Sequence, residues 1–174
     1  MSNWCNAHLI VAGRRSAVLR FSRLSRVRPS ALFGLYMLEG EGGDLQSERI
    51  KTLEPGFATK EYTFQICNDD GRTHFTRLSR QFPTLDFVVV FFDPNNSPIC
   101  GSFFISRGRA RSYVVPEEVE TAVFAKHGYT EDSNDDDGFW EASWELEELA
   151  KAHWQQTLIK AIHRRPGKVG RNVA

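Results

Sequence analysis

The chain has 174 residues, 22 Lys and Arg against 22 Asp and Glu, and 41% apolar residues that include 13 Phe and 4 Trp. A chain of this length fits one domain and buries on the order of 70% of the surface it exposes when unfolded, so a packed core is expected and a disordered chain is excluded. Its longest apolar run, Phe87 to Phe92, is six residues, far short of the roughly 20 that a membrane-spanning helix needs.

In chain order, residues 7–12 read as a strand ended by Gly13. A helix is expected from Ser16 to Val27, with Ala17, Val18, Phe21 and Leu24 on one side and Arg20, Arg23 and Arg26 on the other; Pro29 stops it. Residues 31–38 are apolar and give a second strand, followed by a Gly- and acid-rich loop over 39–58. Residues 60–67 alternate, with Tyr62, Phe64 and Ile66 on one face, which predicts a half-buried strand. Asp69 or Asp70 is placed to cap a helix from Arg72 to Phe82 with Phe75, Leu78 and Phe82 as its apolar stripe. Residues 85–92 form the most apolar strand, and Asp93-Pro94-Asn95-Asn96 turns the chain into another at 99–106, with one more over 110–115. Between Glu141 and His163, Leu146, Leu149, Ala150, Trp154, Leu158, Ala161 and Ile162 make an amphipathic stripe.

One motif recurs. Phe21-Ser22-Arg23-Leu24-Ser25-Arg26 returns as Phe75-Thr76-Arg77-Leu78-Ser79-Arg80, each time after a strand. Two β-α units of this kind predict an α+β fold with a ferredoxin-like βαββαβ core, a mostly antiparallel sheet, extra C-terminal strands and a C-terminal amphipathic helix. Residues 1–115 are expected to form that domain, and 116–174 an extension whose acidic loop precedes a helix packed on the core. Both repeated helices should lie on one side of the sheet. The other face would carry His8, Ile10, Val88, Val90 and Phe92, an apolar surface that the terminal helix is predicted to cover.

The opening Met1-Ser2-Asn3-Trp4-Cys5-Asn6, its strand and its helix, together with Arg80-Gln81-Phe82-Pro83-Thr84-Leu85-Asp86-Phe87, Phe92-Asp93-Pro94 and Gly101-Ser102-Phe103, resemble the YubB-like ferredoxin-like domain family of plasmid, phage and bacterial proteins. The resemblance implies the same core and an origin in a mobile element, and it brings no activity with it.

Charge and cysteine content frame the function. The net balance is +6 over residues 1–38, −1 over 39–116, −11 over 117–148 and +6 over 149–174, so the chain has no global attraction to nucleic acid but carries local basic stretches. Cys5, Cys67 and Cys100 are an odd number in a chain large enough to have its own core, which argues for thiols and a cytoplasmic location. If the sheet brings Cys5 and His8 near Cys67, a metal site is conceivable; small half-buried thiols are the favoured reading, and no metal or cofactor is expected. The acidic loop Asp132 to Gly138 fails the calcium-loop spacing at position twelve and reads as a solvated loop. The histidines are scattered and no nucleophile motif is present, which leans against an enzyme. The candidate binding residues are Asn3, Trp4 and Asn6, the helix arginines Arg20, Arg23 and Arg26, and the run Arg107, Arg109 and Arg111. The first helix's arginines, Arg15 included, are usually a solvated face, but they could dock an acidic partner or the chain's own acidic stretch from Glu117 to Asp137. The leading expectation is a non-enzymatic interaction module with a protein partner. The alternatives are a nucleic-acid-binding protein using both arginine sets, since Gly101-Ser102-Phe103-Phe104-Ile105 resembles an RNA-stacking strand, and a small-molecule enzyme.

Overall fold

The computed structural model describes residues 4–27, 46–47, 49–67, 71–93, 99–129 and 136–163. Over these the chain is α+β. β1 (Trp4–Arg14) runs into α1 (Arg15–Val27), and two short strands, β2 (Gln46–Ser47) and β3 (Lys51–Glu54), precede β4 (Phe57–Cys67). After α2 (Arg72–Gln81) come β5 (Leu85–Phe92), the hairpin of β6 (Cys100–Ser106) and β7 (Arg109–Val114), then α3 (Glu117–Lys126) and α4 (Asp136–His163). The sheet is open, every pair is antiparallel, and the order is β2-β4-β1-β5-β6-β7, with β3 also paired to β4.

Alternation along β1 builds two cores. Cys5, Ala7, Leu9 and Val11 face α1 and α2, where they meet Val18, Phe21, Phe75 and Leu78. Phe21 sits at the centre of this layer, with Tyr62, Phe82 and Phe87 rings edge-on at 5.8, 5.2 and 5.7 Å. The repeated motif is repeated in structure too: Ser25 and Ser79 are both buried, and each donates to the carbonyl three residues back, of Ser22 and Thr76.

The opposite face carries Ala12, Val88, Val90, Phe92 and Phe104, and α4 lies across it. The helix buries Ala142, Leu146, Ala150, Trp154 and Leu158, a line in steps of four. Leu149, predicted in that line, is 39% exposed, because a residue one position from Ala150 is turned about 100° away from it. The Ile162 side chain lies outside what is described. His8 ties the helix to β1 through a 2.8 Å contact from Nε2 to Glu147 Oε2, while its Nδ1 meets Thr63 Oγ1 at 3.3 Å. β5, covered on both faces, is buried along its whole length.

Several expectations need correction or fall outside the described residues. The second strand expected at 31–38 and the caps Asp69 and Asp70 lie outside the described residues; the residue before α2 is Gly71, at φ 73 and with no side-chain cap. A Cβ there would stand 2.9 Å from Ile66 Cδ1, so both backbone and space call for glycine. The 39–58 loop contains β2 and β3, strands too short and polar to show an alternation. The acidic stretch after Pro116 is helix α3, whose first turn holds Glu117, Glu118 and Glu120 where the helix dipole favours carboxylates. It packs beside α4, with Val119, Val123 and Phe124 joining the second core, so it lies across the sheet from α1 and does not dock on that helix's arginines. The Asp132 to Asp135 part of the acidic loop is outside the described residues, and Asp136 already begins α4.

His127 closes the α3–α4 junction, with Nε2 2.8 Å from Glu145 and Nδ1 3.2 Å from Glu141. The Glu145 contact is the main reason its pKa is raised; burial opposes, and Glu141 adds to the rise. A raised histidine pKa contributes stability that is complete below the unfolded value of 6.5 and is lost as pH climbs through the folded value. Melting temperature should therefore fall from about pH 6 to about pH 8 more steeply in the native chain than in His127→Gln. Equal slopes in thermal unfolding would remove His127 from the account.

Candidate functional site

The hairpin of β6 and β7 turns on two residues, Arg107 at φ 51 and Gly108 at φ 76. Two consecutive positive φ values make the type I′ turn that matches strand twist. The turn is held from below: Gly108 N–H donates to Ser79 Oγ of α2 at 2.8 Å. A side chain at Gly108 would run into Arg80, 2.6 Å away. The repeated serine of the second β-α unit thus positions the hairpin tip.

From that tip Arg109 and Arg111 project to the α4 side, since Arg111 pairs with Phe104 and Arg109 with Ser106 in register. The Arg111 guanidinium lies over two rings, 4.9 Å from the Phe104 centroid and 5.3 Å from that of Trp154. Trp154 is fixed in turn: Nε1–H donates to Ser102 Oγ at 2.8 Å, and the Ser102 hydroxyl donates to the Ala150 carbonyl at 3.0 Å. Tyr113 and His153 stack beside it at 3.8 Å. A guanidinium so held needs little further ordering to meet an anion.

Between this hairpin and the last turns of α4 opens a cleft of about 510 Å³, lined by Phe104, Ser106, Arg107 and Arg111 from the hairpin, Asp86 from β5, and Thr157, Lys160 and Ala161 from α4. An adjoining hollow adds Arg109. Asp86 sits at the floor, buried, and accepts from Ser106 Oγ at 2.6 Å. The exposed cations at the rim suit recognition of an anionic group by charge-assisted hydrogen bonds, and the Asp86 carboxylate at the floor keeps such a group at the rim, away from the bottom of the cleft.

The expected binding residues do not form one surface. Arg107, Arg109 and Arg111 come together. Arg20, Arg23 and Arg26 are exposed on α1, which covers β1 and β4 on the other face of the sheet, and Arg20 and Arg23 line a separate shallow groove with Ser16, Leu19 and Leu24. Asn6 is at the far end of the sheet, opposite Phe92, where its Oδ1 accepts from Gln65 Nε2 at 3.3 Å. Trp4 pairs with Cys67 in the backbone register, and Asn3 is outside the described residues. Lys160, Thr157, Asp86 and Ser106 were not foreseen as site residues; Lys160 falls six positions after Trp154 on a helix read only for its apolar stripe.

The conceivable metal cluster is taken apart by the pleat. Cys5 points into the α1/α2 core, whereas His8, three residues on, points to the α4 side and is engaged by Glu147 and Thr63. Cys100 lies in the second core, its pKa driven up by burial and by the Glu147 and Glu120 carboxylates, so it stays a protonated thiol and a poor nucleophile or ligand. Among the described residues no group of three metal-ligating side chains converges. One contact has the geometry of a nucleophile and its base: Lys60 Nζ is 2.9 Å from Ser22 Oγ, and the lysine pKa is lowered by burial and by Arg26. Both side chains are 5% exposed or less, however, and Ser25 meets the Tyr62 hydroxyl at 3.1 Å beside them. This is a closed polar cluster under α1 with no access for a substrate.

No helix among the described residues is long and apolar enough to cross a membrane. No family model, curated protein or solved structure matches the chain.

Proposed function

We propose that this protein is a non-enzymatic interaction module that receives an acidic protein partner at the cleft between the β6–β7 hairpin and α4. The observation that carries the reading is the Arg111 guanidinium stacked on Phe104 and Trp154 at the mouth of a cleft shared with Arg107 and Lys160. An exposed guanidinium held over two aromatic rings, with further cations beside it at the rim, is built for binding carboxylates or phosphates. On this reading the core is ferredoxin-like, an assignment supported by the β2-β4-β1-β5 order and by two helices on one face, and kinship with the YubB-like domains and a cytoplasmic, mobile-element setting are part of the same proposal.

A nucleic-acid partner is the second reading, favoured by the same run of arginines. Against base stacking on the sheet stands the position of α4, which occupies the face where Val88, Val90 and Phe92 would meet bases. Capture from the host with the native chain and with an Arg111→Glu/Lys160→Glu double variant separates these readings. An acidic protein held by the native chain and released in the variant is expected. Nucleic acid recovered instead transfers the surface to the second reading, and equal capture by both chains removes the cleft from the function.

A further inference from the structure

We infer that the open edge of β7 takes an extended peptide as an added strand, and that this peptide carries acidic and apolar residues at alternate positions. The inference deepens the proposed function and rests on its anionic partner. Among the described residues β7 pairs on one side only, with β6. In a two-residue hairpin the residues flanking the turn, Ser106 and Arg109, form the first hydrogen-bonded pair. Alternation then directs the main-chain groups of Arg109, Arg111 and Tyr113 inward, a phase that the Val115 N–H to Cys100 carbonyl bond of 3.1 Å continues. The N–H and C=O groups of Ala110, Ser112 and Val114 are left pointing outward along a strand whose side chains are largely exposed.

The side chains set the chemistry. On the α4 side an added strand lies beside Arg109 and Arg111, which demand carboxylates. On the α2 side it lies beside Ala110, Ser112 and Val114, of which Ala110 packs on the first core and Val114 is 43% exposed; these small and apolar neighbours favour apolar residues. A second copy of the chain is the wrong occupant, because two β7 edges paired to each other bring arginines together, and like charges across a strand pair are destabilising. Strand addition of this kind draws affinity from the main chain and selectivity from alternate side chains.

The test uses a labelled six-residue peptide alternating glutamate and valine, read by fluorescence anisotropy against the full chain, with two forms N-methylated at alternate amides in opposite phases. The parent peptide should bind. One N-methylated phase should lose about tenfold or more in affinity, and the other should stay within about twofold, because only one set of amides faces β7. Binding of both N-methylated forms as well as the parent overturns strand addition. In that case, loss of binding in Arg109→Glu/Arg111→Glu would leave the anion-binding cleft standing, and no loss there would end that reading as well. A parent peptide that fails to bind, or that is outcompeted by a single-stranded oligonucleotide of equal charge, also overturns the inference.

Discussion

A chain ended at residue 135 is expected to emerge aggregated or unfolded. α4 covers Val88, Val90, Phe92 and Phe104 on the sheet and buries Leu146, Trp154 and Leu158 of its own. Burying a large apolar side chain is worth about 1.5–3 kcal/mol. Loss of these seven together is on the order of 10–20 kcal/mol, as large as the whole stability of an ordinary domain, about 5–15 kcal/mol. α3 is stripped too, since it rests on α4. The bare sheet face would be a continuous apolar patch next to the open β7 edge, the combination that drives association. Soluble yield, dye binding and near-UV circular dichroism check this, and a well-behaved truncated monomer with native near-UV signal would count decisively against it.

The need for that cover was readable in the amino-acid sequence, because His8, Ile10, Val88, Val90 and Phe92 alternate with a first set already claimed by Phe21 and Phe75. Period two in β1, β4 and β5, period 3.6 in α1 and α2, and the Phe-x-Arg-Leu-Ser-Arg echo located most of the two layers. What the pattern missed is what carries little pattern. β2 is two residues long and β3 is four, with three of its four side chains exposed, and strands that short at an edge show no alternation. α3 buries only Glu120 and Val123, so its apolar side is too narrow to stand out. Glu120 is there for another reason: its carboxylate accepts the Cys100 N–H at 3.1 Å and closes the start of β6, and burial raises its pKa.

The candidate site was legible only in fragments. Arg107, Arg109 and Arg111 were visible as a run, but the cleft also draws on Asp86 and Lys160, which lie far apart in the sequence and meet only because α4 runs antiparallel to β5 and brings its last turns to the start of that strand. A metal site shared by Cys5 and His8 is ruled out by information already present in the sequence. Two residues three apart on a strand point to opposite faces whatever the strand order, so proximity of their strands in the sheet does not bring their side chains together.

Trp154→Ala should cost about 3–5 kcal/mol, the range for deleting a large buried aromatic side chain. Trp154 is 5% exposed, lies 5.7 Å from the Phe104 ring, and donates to Ser102 Oγ. Removing it opens a cavity beneath the Arg111 guanidinium and takes away the N–H that the Ser102 hydroxyl accepts, leaving that hydroxyl its bond to the Ala150 carbonyl. Trp154→Phe keeps most of the packing and the ring face under Arg111 but loses the N–H donor, so a cost of about 1–2 kcal/mol is expected. Denaturant unfolding of the three chains gives both numbers. The pair also separates structure from recognition: the phenylalanine variant should keep its affinity for an acidic probe to within a few-fold, because the guanidinium still has a ring to lie on. The alanine variant should bind several-fold more weakly even under conditions where it remains folded, because Arg111 has lost one of its two rings. Equal binding by all three folded chains would mean that the stacked geometry of Arg111 is a packing detail with no part in recognition.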